Sequence, residues 1–325
     1  LASELGLAAP STEPQQNGTG AVVAVPLAVK GNVLGALLVS ESNRHSGFDE
    51  RRLEIITGIG QQAALAVQND RLQQEMAERE RLERELQLAR EIQQTFMPEH
   101  LPQPPGWELA VTWRAARQVA GDFYDVFELP GGRLGLVIAD VADKGMPAAL
   151  FMALTRTLMR AAAAEKRSPA DALKRVNDLL VPDAQHGMFV TGLYLIISLG
   201  SGKLVYANAG HHPPLILRSQ AETLEQLERG ETALGVLEGV RFQEHETLLT
   251  NGDRVILYTD GVTEAISPDG RFFGEDRLRD TIQRIRDRDS AQDILDAIVA
   301  TVAQFVGDTP PSDDLTLMVL RRQED

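Results

Sequence analysis

Two apolar runs in this chain each end on an aspartate: LGLVIAD at residues 134–140 and RVILYTD at residues 254–260. Strands this apolar are built for burial. A desolvated, unpaired carboxylate at such an end costs several kcal/mol, so something has to compensate it. Two further segments repeat the arrangement. PSDDLTLMVL sets Asp313 and Asp314 directly before an apolar strand, and VAGDFYDVF sets Asp122 and Asp125 around a strand start. Any one of these acids alone reads as a turn former, because Asp favours turns. If the four ends converge, several carboxylates share one pocket and repel unless cations neutralise them.

Composition narrows which cations those are. With no cysteine and six histidines, oxygen ligands dominate, and Mg²⁺ or Mn²⁺ suits such a set better than zinc or copper. Two such ions about 3.5–4 Å apart lower the pKa of a shared water and stabilise in-line attack on phosphorus. No protein nucleophile is apparent. The net charge of −15 argues against a nucleic-acid footprint, which is basic. No apolar run reaches the roughly 20 residues of a membrane span. The chain has no G-x-x-x-x-G-K-S/T loop for phosphate and no G-x-S-x-G elbow. LASELGLAAP at the start has neither a signal-peptide pattern nor an initiator Met, which predicts a fragment or processed form. The absence of thiols fits a reducing cytoplasm.

At 325 residues there is room for about two domains. After the loop-like polar stretch STEPQQNGTG come two β-rich runs, AVVAVPLAV and NVLGALLVS, joined by a tight turn at Gly31-Asn32. A helix then begins near Asp49 and Glu50 and runs without Gly or Pro from residue 61 until Pro98. Taking Leu72 as heptad position a puts Leu86 at a, with Leu82, Ala89 and Phe96 at d. Glu75 and Arg79 interrupt the upper seam. The pattern predicts a weak coiled coil that pairs two copies; a solvated helix held by Glu75/Arg79 and Glu80/Arg84 is the alternative. PEHLPQPPGW ends the helix. Beyond it, eight strands joined by short turns predict mostly antiparallel pairing, with helical blocks at about 147–181, broken near Ser168-Pro169, and at about 275–306. Strands in runs and helices in blocks indicate an α+β fold of stacked sheets with helices outside.

The ordered segments AGDFYD, IADVADKGMPAAL, NAGHHPPLILR, YTDGVTEA and DDLT resemble the SpoIIE/RsbU-type branch of the PPM (PP2C-like) metal-dependent serine/threonine phosphatases, over about residues 90–321. The resemblance implies an α-β-β-α sandwich with a binuclear Mn²⁺/Mg²⁺ centre between the sheets. By motif, Asp140 would bridge both ions, and Asp260 and Asp313 would complete one shell. Asp122 would hold water on the other side, and the Val141 carbonyl would contribute. Asp314 is second choice to Asp313. The family usually has a small residue, often Gly, where this chain has Asp143, which is expected to face solvent or stand behind the ligands. Ala120 also stands where a second Gly is frequent. His211-His212 reads as turn-shaping after Gly210. Arg117 is a weaker candidate for contact with the substrate phosphate.

Residues 20–70 are similar to the C-terminal half of a GAF domain, two strands and an exit helix. The expected organisation is a partial GAF-like unit at 1–69, a linker helix at 70–97 and the phosphatase at 98–325. Register or pairing of the linker would gate catalysis. The resemblance implies a cytoplasmic hydrolase in which a water activated by two ions attacks phosphoserine or phosphothreonine on a regulatory protein. That substrate is expected to be a STAS-type anti-sigma-factor antagonist in a partner-switching pathway. A degenerate phosphatase-like scaffold and a two-metal hydrolase of small phosphomonoesters are the alternatives.

Overall fold

The computed structural model describes residues 21–41, 47–165, 168–184, 187–221, 223–230 and 232–323. The polar stretch 11–20 read as a loop lies outside the described residues. Two compact units divide between Glu85 and Leu86. In the first, β1 (Val22–Val29) and β2 (Asn32–Ser40) form an antiparallel hairpin. Its turn is Lys30-Gly31, at φ 48° and 87°, one residue earlier than the sequence suggested. Asn32 instead pairs with Val29, because two successive positive φ values supply the twist of a two-residue hairpin.

α1 (Glu50–Phe96) begins on Asp49, whose Oδ1 accepts the Arg52 amide at 2.8 Å, an N-cap. Gly60 permits close approach to the hairpin, since a Cβ there would lie 2.7 Å from Val25 Cγ1. On the exposed surface of α1, Arg71–Glu75, Arg79–Glu83 and Arg81–Glu85 pair at i,i+4. Arg79 therefore turns to Glu83, not Glu75, and Arg84 donates to the Glu80 carbonyl oxygen. Such pairs contribute only a few tenths of a kcal/mol each. Leu72 and Leu82 stand exposed, and Leu86 and Ala89 are half-buried.

The second unit holds two five-stranded antiparallel sheets. β3 (Trp107–Arg114), β4 (Phe123–Leu129) and β5 (Arg133–Val141) are followed by helices α2 (Met146–Glu165) and α3 (Pro169–Leu180). Next come β6 (Val190–Ser198), β7 (Lys203–Ala209), β8 (Leu215–Leu217), β9 (Leu224–Gln226), β10 (Glu244–Leu248) and β11 (Arg254–Tyr258). The chain continues through α4 (Asp260–Thr263), α5 (Gly274–Arg284), α6 (Ala291–Val306) and β12 (Leu315–Arg322). One sheet runs β10-β7-β6-β5-β4 and the other β3-β12-β11-β8-β9.

Leu134, Leu136 and Ile138 of the first sheet meet Val255, Leu257, Met318 and Leu320 of the second in a dry inter-sheet core. α2 and α3 cover the outer face of the first sheet, and α5 and α6 that of the second. This is the α+β, α-β-β-α sandwich expected. The block read as one helix from 275 to 306 is two, because Ser290 caps a fresh start by accepting the Asp293 amide at 3.0 Å. β8 and β9 did not stand out in the sequence.

Candidate active site

Strand alternation decides which acids meet. In β5 the odd positions Val137, Ala139 and Val141 face α2, and Leu134, Leu136 and Ile138 face the opposite sheet. Asp140 continues the inter-sheet series. By the same parity Asp122 follows Val126 inward. Phe123, Phe127 and Asp125 face α2. Thr259 continues Val255 and Leu257, and Thr316 and Asp314 continue Leu320 and Met318. The two acids of DFYD are therefore parted. Asp125 is buried on the outer face, where Arg160 Nε lies 2.7 Å and Arg156 Nη2 3.1 Å from its Oδ2.

Asp122 is 1% exposed. Its Oδ2 accepts the Thr259 hydroxyl at 2.6 Å and the Thr316 hydroxyl at 2.7 Å. Burial, then the charge of Asp140, raises its carboxyl well above the usual range despite those donors. It also hydrogen-bonds Asp140. Burial, followed by the charge of Asp260, pushes Asp140 up to about 7, with Asp313 and Asp314 adding to the effect. Asp260 opens α4 and is pushed up to about 6 by burial and then by Asp313. Asp314 is raised by burial, although Ala116 N–H reaches its Oδ1 at 2.8 Å and Gly121 N–H its Oδ2 at 2.7 Å. Asp313 Oδ2 accepts Lys144 Nζ at 2.7 Å, and the same ammonium donates to the Ser312 carbonyl oxygen at 3.0 Å. The structure thus brings Asp122, Asp260, Asp313 and Asp314 within electrostatic reach of Asp140 at one end of the sandwich.

The other candidates lie as follows. The Val141 carbonyl faces Gly121, where a Cβ would come within 3.1 Å of its oxygen. Asp143 is exposed at φ 141°, a strained conformation for a residue with a Cβ. Its Oδ1 accepts the Lys144 amide at 2.7 Å. Arg117 is exposed in the β3–β4 loop. His211 is buried, with Nδ1 2.9 Å from the Thr191 hydroxyl, and Asn208 brackets its backbone in the turn after Gly210. Burial, then His212, pushes its imidazole down to about 3, so it is neutral.

The profile described as Stage II sporulation protein E (SpoIIE) matches residues 130–323. The chain belongs to the SpoIIE family. A GAF domain profile matches residues 7–68 of this SpoIIE-family chain. The chain is 34% identical over 267 residues to Protein IcfG of Synechocystis sp. (strain ATCC 27184 / PCC 6803 / Kazusa), covering 73% of this chain and 41% of IcfG. It is 29% identical over 239 residues to Phosphoserine phosphatase RsbU of Bacillus subtilis (strain 168), covering 74% of this chain and 70% of RsbU. The chain therefore spans less than half the length of IcfG. The SiaA-PP2C domain of Pseudomonas aeruginosa shares the fold, with TM-score 0.66 at 24% identity over 75% of this chain and 98% of that one.

Among the described residues no three acids or histidines are grouped as a ready coordination shell. The chemistry of the donor set nevertheless fits hard divalent cations, because every convergent donor is a carboxylate oxygen and the set is short of positive charge. Three participants escaped the sequence reading. Thr259 and Thr316 hold Asp122, and their parity relative to the apolar positions was a usable signal. Lys144 reaches Asp313 from 169 residues away, a pairing with no local signature.

Proposed function

We propose that this chain is a metal-dependent protein serine/threonine phosphatase. The observation that carries the reading is the convergence of five aspartates, four of them desolvated, at the strand ends of a SpoIIE-family sandwich. Asp140, Asp260, Asp313 and Asp122 would hold two Mn²⁺ or Mg²⁺ ions, with the Val141 carbonyl. When bound, the ions supply charge compensation for phosphoryl oxygens and activation of the attacking water. Thr259 and Thr316 fix the orientation of Asp122. The backbone amides of Ala116 and Gly121 hold Asp314 in place, which favours Asp313, the acid with a movable ammonium partner, as the ligand. Arg117 would meet the substrate phosphate.

The substrate we assign is a phosphoserine or phosphothreonine on a regulatory protein of the STAS anti-sigma-factor-antagonist type, within the cytoplasm. The chain's similarity to RsbU, which is named a phosphoserine phosphatase, supports the chemistry. Among the described residues no helix is long and apolar enough to cross a membrane. Phosphate release from a generic phosphomonoester is expected with Mn²⁺ and not with chelator. Absence of both phosphoester turnover and Mn²⁺ binding would favour the scaffold alternative, whereas Mn²⁺ binding without turnover would indicate an intact but gated site. Turnover of small esters with none of phosphoproteins would favour the small-molecule hydrolase.

Regulation would enter through α1, following the division into a GAF-like unit at 1–69, a linker at 70–97 and the catalytic domain at 98–325. Gln93 is buried near the C-terminal end of α1. It donates to the Ala120 carbonyl at 2.7 Å and accepts the Ala120 amide at 2.9 Å. The next residue, Gly121, donates to Asp314. A shift of the linker in a homodimer would thus reach the acids through two hydrogen-bonded steps. Polar replacement of Leu82 and Leu86 is expected to lower dimer mass in light scattering and to change turnover in parallel. Unchanged mass and rate would dismiss the linker dimer.

A further inference from the structure

A cavity of about 330 Å³ opens beside the acid centre, at the small end of the range that ligand pockets occupy. It lies under the 307–313 loop and against the last turns of α6, with Ile266, Val299, Val306 and Leu315 among its apolar walls. Two of its residues, Gly261 and Asp313, also belong to the acid centre. The cavity therefore borders the candidate site. At its rim stands Arg114, the last residue of β3. Arg114 is exposed, and among the described residues its guanidinium makes no hydrogen bond or ion pair. An unpaired arginine at the cavity rim, in a chain of net charge −15, is well placed to recognise an anionic group on a visitor.

We infer that this cavity is the subsite for the substrate segment that flanks the phosphorylated residue, and that it selects an aliphatic side chain with an acidic neighbour. The inference rests on the phosphatase reading above. With the phosphoryl group at the acids, the shared residue Asp313 leaves the cavity within a residue or two along an extended peptide, which rises about 3.3 Å per residue. The aliphatic side chain fills the apolar walls. The acidic neighbour pairs with Arg114. Neither contact touches the reacting atoms, so both act on peptide recognition and leave small esters unaffected.

The test uses the full chain with Mn²⁺, para-nitrophenyl phosphate and a positional set of phosphoserine peptides. Each flanking position in turn carries Leu, Glu or Lys. The wild type is expected to favour one position for Leu and a neighbouring one for Glu, each by about tenfold in kcat/KM over Lys. Ala303→Phe, which narrows the cavity from the α6 side, should erase the Leu preference mainly through KM. Arg114→Glu should invert the Glu/Lys preference. Both variants should turn over para-nitrophenyl phosphate within twofold of wild type. Wild-type turnover with flat peptide preferences, or variants that slow both substrate types equally, would overturn the subsite alone. A wild type that hydrolyses nothing would overturn the phosphatase reading and the subsite together.

Discussion

Asp140→Asn is expected to make the cation-free protein more stable and to abolish its cation-dependent activity. In chelator at pH 8 the Asp140 carboxylate is ionised, desolvated and close to Asp260, Asp313 and Asp314. Asn removes the charge and keeps an oxygen that accepts a hydrogen bond from Asp122. The direction with pH follows from linkage. The folded carboxyl titrates at about 7, whereas an unfolded Asp titrates near ~3.9. Between those values the native state binds the extra proton, so wild-type stability falls as pH rises through that window and levels off above it. The stabilisation by Asn is therefore greatest above the window, on the order of 1–3 kcal/mol after allowance for coupling, and vanishes towards its lower end. A residual slope remains from Asp260, which titrates at about 6. Saturating Mn²⁺ should reverse the ranking. Ligand at about 1,000 times its Kd adds about 4.1 kcal/mol to wild type, and the variant should gain little. Phosphate release should fall by more than about 100-fold, since even the outer partners of metal ligands contribute about 10–100-fold. Thermal scans in chelator and in Mn²⁺ at two pH values check both halves. A variant that melts lower in chelator at pH 8, yet still responds to Mn²⁺, would remove Asp140 from the centre.

How far the sequence anticipates this site depends on how local each signal is. The long strands are legible because apolar runs bounded by Gly, Pro and Asn have few other fates. β8 and β9 are three residues each and follow Pro213-Pro214, so neither length nor alternation marks them. The break between α5 and α6 was available in SAQD, a Ser followed three residues later by an acid, but the charged run before it reads equally well as helix surface. Asp122 and Asp125 look alike as residues in a strand start. Only the period of two separates them, sending one between the sheets and the other to Arg156 and Arg160. The grip of Thr259 and Thr316 on Asp122 depends on β11 pairing with β12 and the sheets stacking, 137 and 194 residues from Asp122 in sequence. Arg114 is visible as a residue but becomes a candidate only once α6 and the 307–313 loop place a cavity beside it.

Gly261→Ala is expected to be as damaging as removing a ligand, although the methyl carries no charge. A Cβ at Gly261 would lie 1.8 Å from the Asp314 carbonyl oxygen, 2.7 Å from its carbon and 3.2 Å from Leu315 Cα. All three are backbone atoms, so no rotamer change relieves the clash. The two segments that must part are also tied together, with Thr259 N–H bonded to the Thr316 carbonyl and Thr316 N–H to the Thr259 hydroxyl, each at 3.0 Å. Separating them moves Asp260 away from Asp313 and Asp314 and releases both hydroxyls from Asp122. The expected loss is about 3 kcal/mol or more, combining overpacking with a broken buried network. Gly200→Ala is the matched control, since a Cβ there meets nothing within 4 Å, and it should stay within about 0.5 kcal/mol of wild type. Denaturant titration of both variants gives the stabilities, and Mn²⁺ calorimetry gives the cation response. If Gly261→Ala keeps wild-type stability and Mn²⁺ affinity, the close approach of α4 to the Asp314 backbone is not what assembles the acids.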